Sequence, residues 1–362
     1  MAETPATEFP PHPRTTADLV GHAEAERLLL GAWSSGRLPH GWLISGPPGI
    51  GKATLAYRFA RFVLAGGGDG GLFGAPETLA LDPSHPVFRR VAAGAHADLM
   101  EVTRPFTDDE MKKEPEERKR RKESIGVDEV REAVHFLKLT PAEGGWRVVI
   151  VDCADDMTPS AANALLKSLE EPSNKSLILL ISNAPLSLLP TIRSRTSRLV
   201  LKSLSNIDVE VLVSKYLPDF SPADRAALAA ISDGSIGKAL ALAGKGGLEL
   251  DREIASMLGA LPKTDTERLH RFADLLARPG AEEAWRTATG LMSWRLARAI
   301  EAGARRQPDD LARRLLGLAP LDRWVEVWDK VRHLIAQSDG TPHMRKQVVL
   351  GAFFALERAA RG

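Results

Sequence analysis

Only one cysteine, Cys153, occurs in the 362 residues. The chain therefore forms no internal disulfide and no cysteine-cluster zinc site. An excess of charge of either sign is missing too. Lys and Arg total 48 against 47 Asp and Glu, a formal net charge of +1, so the overall balance carries no nucleic-acid signature. No apolar run approaches the roughly 18 residues that a membrane span needs. The segment from Met1 to Arg14, proline-rich and with acidic residues, does not read as a secretory signal. These absences leave an ordinary soluble protein, expected in the cytoplasm and not at a membrane, and long enough for two or three domains.

What is present is concentrated in Gly46-Pro47-Pro48-Gly49-Ile50-Gly51-Lys52-Ala53-Thr54. A phosphate-binding loop reads G-x-x-x-x-G-K followed by Ser or Thr, whose hydroxyl binds the magnesium of a nucleotide. Here that position is Ala53, which has no oxygen. Gly46, Gly49 and Gly51 allow backbone N–H groups to point at phosphate at a helix start, and Lys52 supplies a point charge. The apolar run Trp42-Leu43-Ile44 before the loop reads as a buried strand. Lys52 to Leu64 after it has helical spacing through Leu55, Phe59, Phe62 and Val63. Thr54 is the remaining hydroxyl, but the next position along a helix is rotated by about 100 degrees.

Further strands are expected at Arg147 to Asp152, Leu177 to Ile181 and Leu199 to Leu201. Helices are expected at Ala23 to Ser34, at Val127 to Leu139, and from Thr158-Pro159 to about Glu171, stopped by Pro172. Alternating strands and helices imply an α/β fold with a parallel sheet covered on both faces. After about residue 204 only helical patterns remain, and Trp285, Trp294, Trp324 and Trp328 fit a helical core or subunit contacts. Residues 1 to 17 read as a loose lead-in, and Gly66 to Gly71 as a flexible run. Thr107 to Glu123, with seven acidic and seven basic residues, reads as a solvated loop or frayed helix; its cluster Arg118 to Lys122 is the alternative, a phosphate contact.

Asp152 ends a β-branched strand, the position of a metal-side aspartate in a phosphate-loop ATPase. The next residue is Cys153, where a carboxylate base would stand. Asp155 and Asp156 lie nearby, at a helix entrance that favours acids in any case.

Three segments together carry a resemblance: Asp152 to Met157, then Asn163-Ala164-Leu165-Leu166-Lys167-Ser168-Leu169-Glu170-Glu171-Pro172, then Leu189-Pro190-Thr191-Ile192-Arg193-Ser194-Arg195-Thr196. Their order resembles the clamp-loader branch of the AAA+ family. Leu19 to His22 and Ser35 to His40 fit as well, and the resemblance covers residues 15 to about 240. It implies an AAA+ P-loop domain over 1–204, a helical lid over 205–262 and an all-α collar over 263–362. It also implies a five-subunit machine that loads a sliding clamp onto primed DNA, with gamma/tau-type and delta-type subunits as partners. A bound nucleotide would be ATP or ADP, held by Gly46, Gly49, Gly51, Lys52, Ala53, Thr54, Asp152 and the polar pair Ser182-Asn183, where a sensor would lie. Arg195 matches the arginine finger given in trans to a neighbour's ATP. Thr196 replaces that motif's cysteine.

The departures agree with one another. The lid motif Gly-Ser-x-Arg reads Gly234-Ser235-Ile236-Gly237, without its arginine, and Lys238 is displaced along the helix. No four-cysteine zinc module is possible, and His85 and His96 are too few to replace one. With Ala53, Cys153 and Gly237 all falling on hydrolysis, the expected role is a non-hydrolysing subunit that donates Arg195 and holds little magnesium of its own. The alternatives are an active ATPase subunit using Thr54 and Asp155, and a stand-alone nucleotide-binding regulator.

Overall fold

In the computed structural model, residues 11–67, 76–114, 117–307, 309–337 and 342–361 are described. Most of the glycine run and the first ten residues lie outside these. The chain divides into two compact units, Met1–Pro218 with Ser232–Gly237, and Asp219–Ile231 with Lys238–Gly362.

The first unit is built on a five-stranded parallel sheet. Its strands are β1 (Gly41–Ser45), β2 (Leu99–Val102), β3 (Arg147–Val151), β4 (Ser176–Ser182) and β5 (Ser197–Val200), in the order β2-β3-β4-β1-β5. β1, β3 and β4 are buried along their whole length. That is why they read as continuous apolar runs and not as an alternating pattern. On one face Trp42, Ile44, Val148, Ile150, Leu177 and Leu179 pack with Leu55, Phe59 and Phe62 of α2 (Lys52–Leu64) and with α1 (Ala23–Ser34) and α3 (Pro86–Ala92). On the other, Leu43, Val149, Val151, Ile178 and Leu180 pack with Val130 and Leu137 of α5 (Val127–Lys138) and with Leu165 and Leu169 of α6 (Pro159–Glu170). The α/β expectation is met, and α1, α2, α5 and α6 fall where the apolar spacing put them, whereas α3 had no expectation. Thr158 caps α6 through its side chain, accepting from Ala161 N, with proline in the first turn.

Two segments differ from their sequence reading. Residues 11–17 are not loose. Arg61, buried on α2, donates to the carbonyls of Arg14 at 2.9 Å and Thr16 at 2.8 Å and lies 4.4 Å from the centre of the Phe88 ring. Arg58 donates to the Ala17 carbonyl and pairs with Glu26. The charged segment is folded in part: it forms a short helix α4 (Asp108–Met111), and Phe106, just before that helix, makes an antiparallel bridge to Arg121. Glu110, nearly buried, accepts from Lys113 Nζ at 2.8 Å and Lys119 N at 2.7 Å. Arg121 covers the Phe106 ring at 4.3 Å.

The first unit continues through α7 (Pro190–Arg195) and α8 (Asn206–Tyr216), the latter started by a Ser205–Asp208 capping box. The second unit is helical among its described residues. It holds α9 (Pro222–Ile231), most of α10 (Ile236–Gly244), α11 (Gly247–Gly259), α12 (Thr266–Ala277), α13 (Glu282–Ala304), α14 (Asp310–Leu318), α15 (Leu321–Gln337) and α16 (Pro342–Arg361). Trp285 and Trp324 are buried, and the Trp324 indole donates to the Leu315 carbonyl at 2.9 Å. Asp251 on α11 is buried because Arg295 on α13 meets it with two hydrogen bonds, at 2.6 and 2.5 Å, the fork geometry that suits a guanidinium–carboxylate pair. No described helix is long and apolar enough to cross a membrane.

Candidate nucleotide-binding site

Gly46 to Lys52 leave the end of β1 and enter α2 as a phosphate loop should. The glycines are required by space as well as by backbone angle. At Gly46 (φ 149°) a Cβ would stand 2.4 Å from the Leu201 carbonyl oxygen, and at Gly49 (φ 72°) 2.4 Å from Ser235 Oγ. The N–H groups at the start of α2 form a place where a phosphate anion fits.

Lys52 does not point its charge into open space. Its buried ammonium donates to the carbonyls of Gly46 at 2.8 Å and Pro47 at 2.5 Å, and to Asn183 Oδ1 at 2.8 Å. Those are three acceptors for three donors. Burial lowers the Lys52 pKa, against the opposing pull of the carboxylates of Asp152 and Asp155. Asn183 also donates to Cys153 Sγ at 3.3 Å, whereas Ser182 is buried and committed to Asp155. Of the two candidate sensor residues, Asn183 is therefore the one that meets the lysine.

Asp155 is consumed by structure. Its carboxylate accepts from Ser182 Oγ at 2.6 Å, Asn183 N at 2.6 Å, Ala184 N at 3.2 Å and Cys153 Sγ at 2.9 Å. Burial pushes its carboxyl up, yet these donors hold it below the usual carboxylate range. Such a group is a poor proton acceptor for an attacking water. Cys153 is driven the other way, up to about 12, by burial first and by its bond to Asp155, so it stays a thiol. Asp156 pairs with Arg104 at 3.2 Å. Asp152 rises to about 6 through burial and the nearby Glu101, with Lys52 opposing. Ala53 packs against the core on the α2 face of the sheet, and Thr54 follows it in the first turn of α2.

The segment Ser232–Gly237 lies on this loop. Gly237 N donates to the Gly49 carbonyl at 2.9 Å, and Ser235 Oγ to the Pro48 carbonyl at 2.9 Å. A Cβ on Gly237 would stand 3.0 Å from Gly49 Cα. The residue that replaces the lid arginine is thus one whose lack of a side chain permits this approach. Lys238, the next residue, has its ammonium 5.3 Å from the centre of the Trp294 ring.

The sequence motifs assign no individual role to His22. It is buried, and its Nε2 donates to the Ile50 carbonyl at 2.7 Å, holding the loop from beneath. The only signal for it was its place in the Leu19 to His22 segment of the resemblance.

Arg195 is elsewhere. It ends α7 immediately before β5, whose register pairs Ser197 with Trp42 and Val200 with Ser45. The Arg195 carbonyl lies 3.7 Å from where a Gly41 Cβ would be. Gly41 opens β1 and the phosphate loop follows its end, so Arg195 and the loop are at opposite ends of the sheet, about 16 Å apart along the strand. Arg195 pairs with Glu170 at 2.8 Å.

The residues present fit a phosphate at the α2 N-terminus. Ala53 and Cys153 stand at the two positions where the sequence motif would place a magnesium-binding hydroxyl and a carboxylate. Among the described residues no group of three or more His, Cys, Asp or Glu side chains is placed to hold a metal ion.

Residues 21–205 match the family model described as DNA polymerase III, delta subunit. The delta prime subunit of DNA polymerase III from Pseudomonas aeruginosa is 39% identical over 156 residues, covering 43% of this chain and 41% of that protein. The tau subunit of DNA polymerase III from Escherichia coli K12 is 27% identical over 258 residues, covering 69% of this chain and 36% of that protein. The chain spans about two-fifths of the length of these relatives. Among solved structures, a gamma-subunit-related protein of DNA polymerase III from Thermotoga maritima covers 92% of this chain and all of its own, at 19% identity and a TM-score of 0.37.

Proposed function

The chain belongs to the DNA polymerase III delta-subunit family, and from that premise we propose that it is the delta-prime-type subunit of a clamp loader. In this reading it hydrolyses no nucleotide and lends Arg195 to the ATP of an adjoining gamma/tau-type subunit. The helices over 205–262 and 263–362 act as lid and collar, and the collar holds the subunits together while sliding clamp is loaded onto primed DNA. The placement of Arg195 at the sheet end remote from Lys52 carries the proposal. An arginine there has no access to the phosphate loop of its own chain, and a finger acts in trans.

The chemistry of the loop supports the same division of labour. The Lys52 ammonium is held by the carbonyls of its own loop, Asp155 is spent on the end of β4, and Ser235 and Gly237 cover Pro48 and Gly49. A nucleotide entering the loop, whether ATP or ADP, would meet backbone amides first and would have to draw Lys52 away from three acceptors. The test is phosphate release by the isolated chain with magnesium and ATP, together with size-exclusion of a mixture with gamma/tau-type and delta-type subunits. Co-elution without turnover by the isolated chain is expected. Turnover that disappears on Lys52→Ala would mark an active ATPase subunit, and a monomer that ignores those subunits would mark a separate regulator.

A further inference from the structure

The Arg195 side chain is folded back onto its own helix. Nη1 donates to the Thr191 carbonyl at 3.2 Å and to Ser194 Oγ at 3.3 Å, both on α7. Nη2 makes an ion pair with Glu170 Oε1 at 2.8 Å. The guanidinium is thereby engaged within its own chain through both Nη1 and Nη2.

Glu170 reaches Arg195 because the two helix ends are fixed side by side at the start of β1. His40 Nε2 donates to the Leu169 carbonyl at 2.8 Å. Gly41 leaves open the space where a Cβ would stand 2.8 Å from Leu169 Cδ2 and 3.4 Å from Thr196 Cγ2. Buried Thr196 donates through Oγ1 to the Ile192 carbonyl at 3.0 Å, closing the last turn of α7. The residue before Glu170 and the residue after Arg195 are therefore both held against the His40–Gly41 step. The carboxylate also sits at the C-terminal end of α6, where the helix dipole disfavours an anion. A partner cation offsets that cost.

The pair is nevertheless weak. The Arg195 and Glu170 side chains are 36% and 47% exposed, and ion pairs open to water contribute little to stability. A transferring phosphoryl group, carrying more charge at a site closed from water, competes well against one solvated carboxylate.

We propose that Glu170 is a positioning residue that keeps Arg195 retracted on its own chain and releases the guanidinium when a neighbour's nucleotide phosphates come within reach. The inference rests on the reading of Arg195 as a trans finger. Its test uses the full chain reconstituted with gamma/tau-type and delta-type subunits, clamp, primed DNA and ATP. Glu170→Gln keeps the size of the side chain and removes its charge. Extension of the finger then costs less, and kcat rises about two- to fivefold, the range an exposed pair commands. Thermal unfolding of the isolated chain stays as in the parent. In an Arg195→Ala background the same substitution changes nothing, a coupling that a merely structural role would not produce. An unchanged or lowered kcat on Glu170→Gln, in a loader whose turnover does collapse on Arg195→Ala, overturns the role of Glu170 alone. If Arg195→Ala itself leaves turnover intact, the finger reading fails and takes this inference with it.

Discussion

Lys52 and Asn183 meet at 2.8 Å, lysine ammonium to amide oxygen, and so tie the phosphate loop to the end of β4. With the carbonyls of Gly46 and Pro47 as the other two acceptors, the motif lysine is an internal strut of the loop.

A strut contributes to stability whether or not nucleotide is present. Lys52→Ala removes three charge-assisted bonds and leaves their acceptors without that donor. Bonds of this kind contribute about 1.5–3 kcal/mol when a charge is involved, and water reaching the cleft recovers part of that. Urea unfolding of the nucleotide-free chain is expected to show a loss of about 2 kcal/mol. Unchanged stability would mean that the lysine is free to turn toward phosphate.

Asp152 gives the sheet unit a pH dependence of defined sign. Folded, its carboxyl keeps a proton up to about pH 6, against 3.8 for an ordinary aspartate. Between those values the folded chain binds more protons than the unfolded one, so stability falls as pH rises through that window. Above it the cost is on the order of 2–3 kcal/mol. Asp152→Asn, which cannot ionise, is expected to stabilise the chain by about 2 kcal/mol at pH 7.5 and by almost nothing below pH 4. The comparison of denaturant midpoints at the two pH values checks this; an equal effect at both would exclude the ionisation as its cause.

Returning the two missing oxygen groups is not expected to return activity. Ala53→Ser with Cys153→Glu offers a hydroxyl and a carboxylate. The new carboxylate, however, lands beside Asp155, whose bonds from Cys153, Ser182 and Asn183 organise the end of β4. Like charges at that spacing repel and disturb the strut partner Asn183. Phosphate release by the double variant alone should stay at background, and turnover that depends on Lys52 would contradict this.

Arg61 is a buried cation stabilised by two lead-in carbonyls and the Phe88 ring. Burial lowers its pKa to about 10. Arg61→Ala should free residues 11–17 and cost about 3 kcal/mol, since it opens a cavity and strands two acceptors. Faster amide exchange confined to the start of the chain, with lowered stability, is the expected signature.

Much of the sheet was legible because its strands are buried on both faces and its helices carry one apolar stripe. β3 is β-branched from Val148 to Val151, and α2 shows its core face at Leu55, Phe59 and Phe62. β2 was not legible: Leu99 to Val102 is four residues long, sits at a sheet edge and contains Glu101. The lead-in was misread because what holds it, Arg58 and Arg61, lies more than forty residues away. At the site, glycine spacing located the loop and the lysine. Nothing in the spacing says that the lysine turns inward, since that depends on where Asn183 is placed by another strand. Asp155 was read as a helix-entrance acid, but its partners come from the end of β4. Glu170 belonged to a motif and had no assigned task until α6 and α7 were seen to end against the same step of β1.

The central claim is that catalytic work passes through Arg195 and not through the loop at Gly46 to Thr54. It is tested most directly by ATP turnover of the reconstituted loader carrying Arg195→Ala or Lys52→Ala in this chain alone. The account predicts that Arg195→Ala slows the adjoining site on the order of a thousandfold, the scale of a lost arginine finger. Lys52→Ala, assayed where the variant is folded, should leave turnover near that of the parent. Collapse on Lys52→Ala with normal turnover on Arg195→Ala would contradict it.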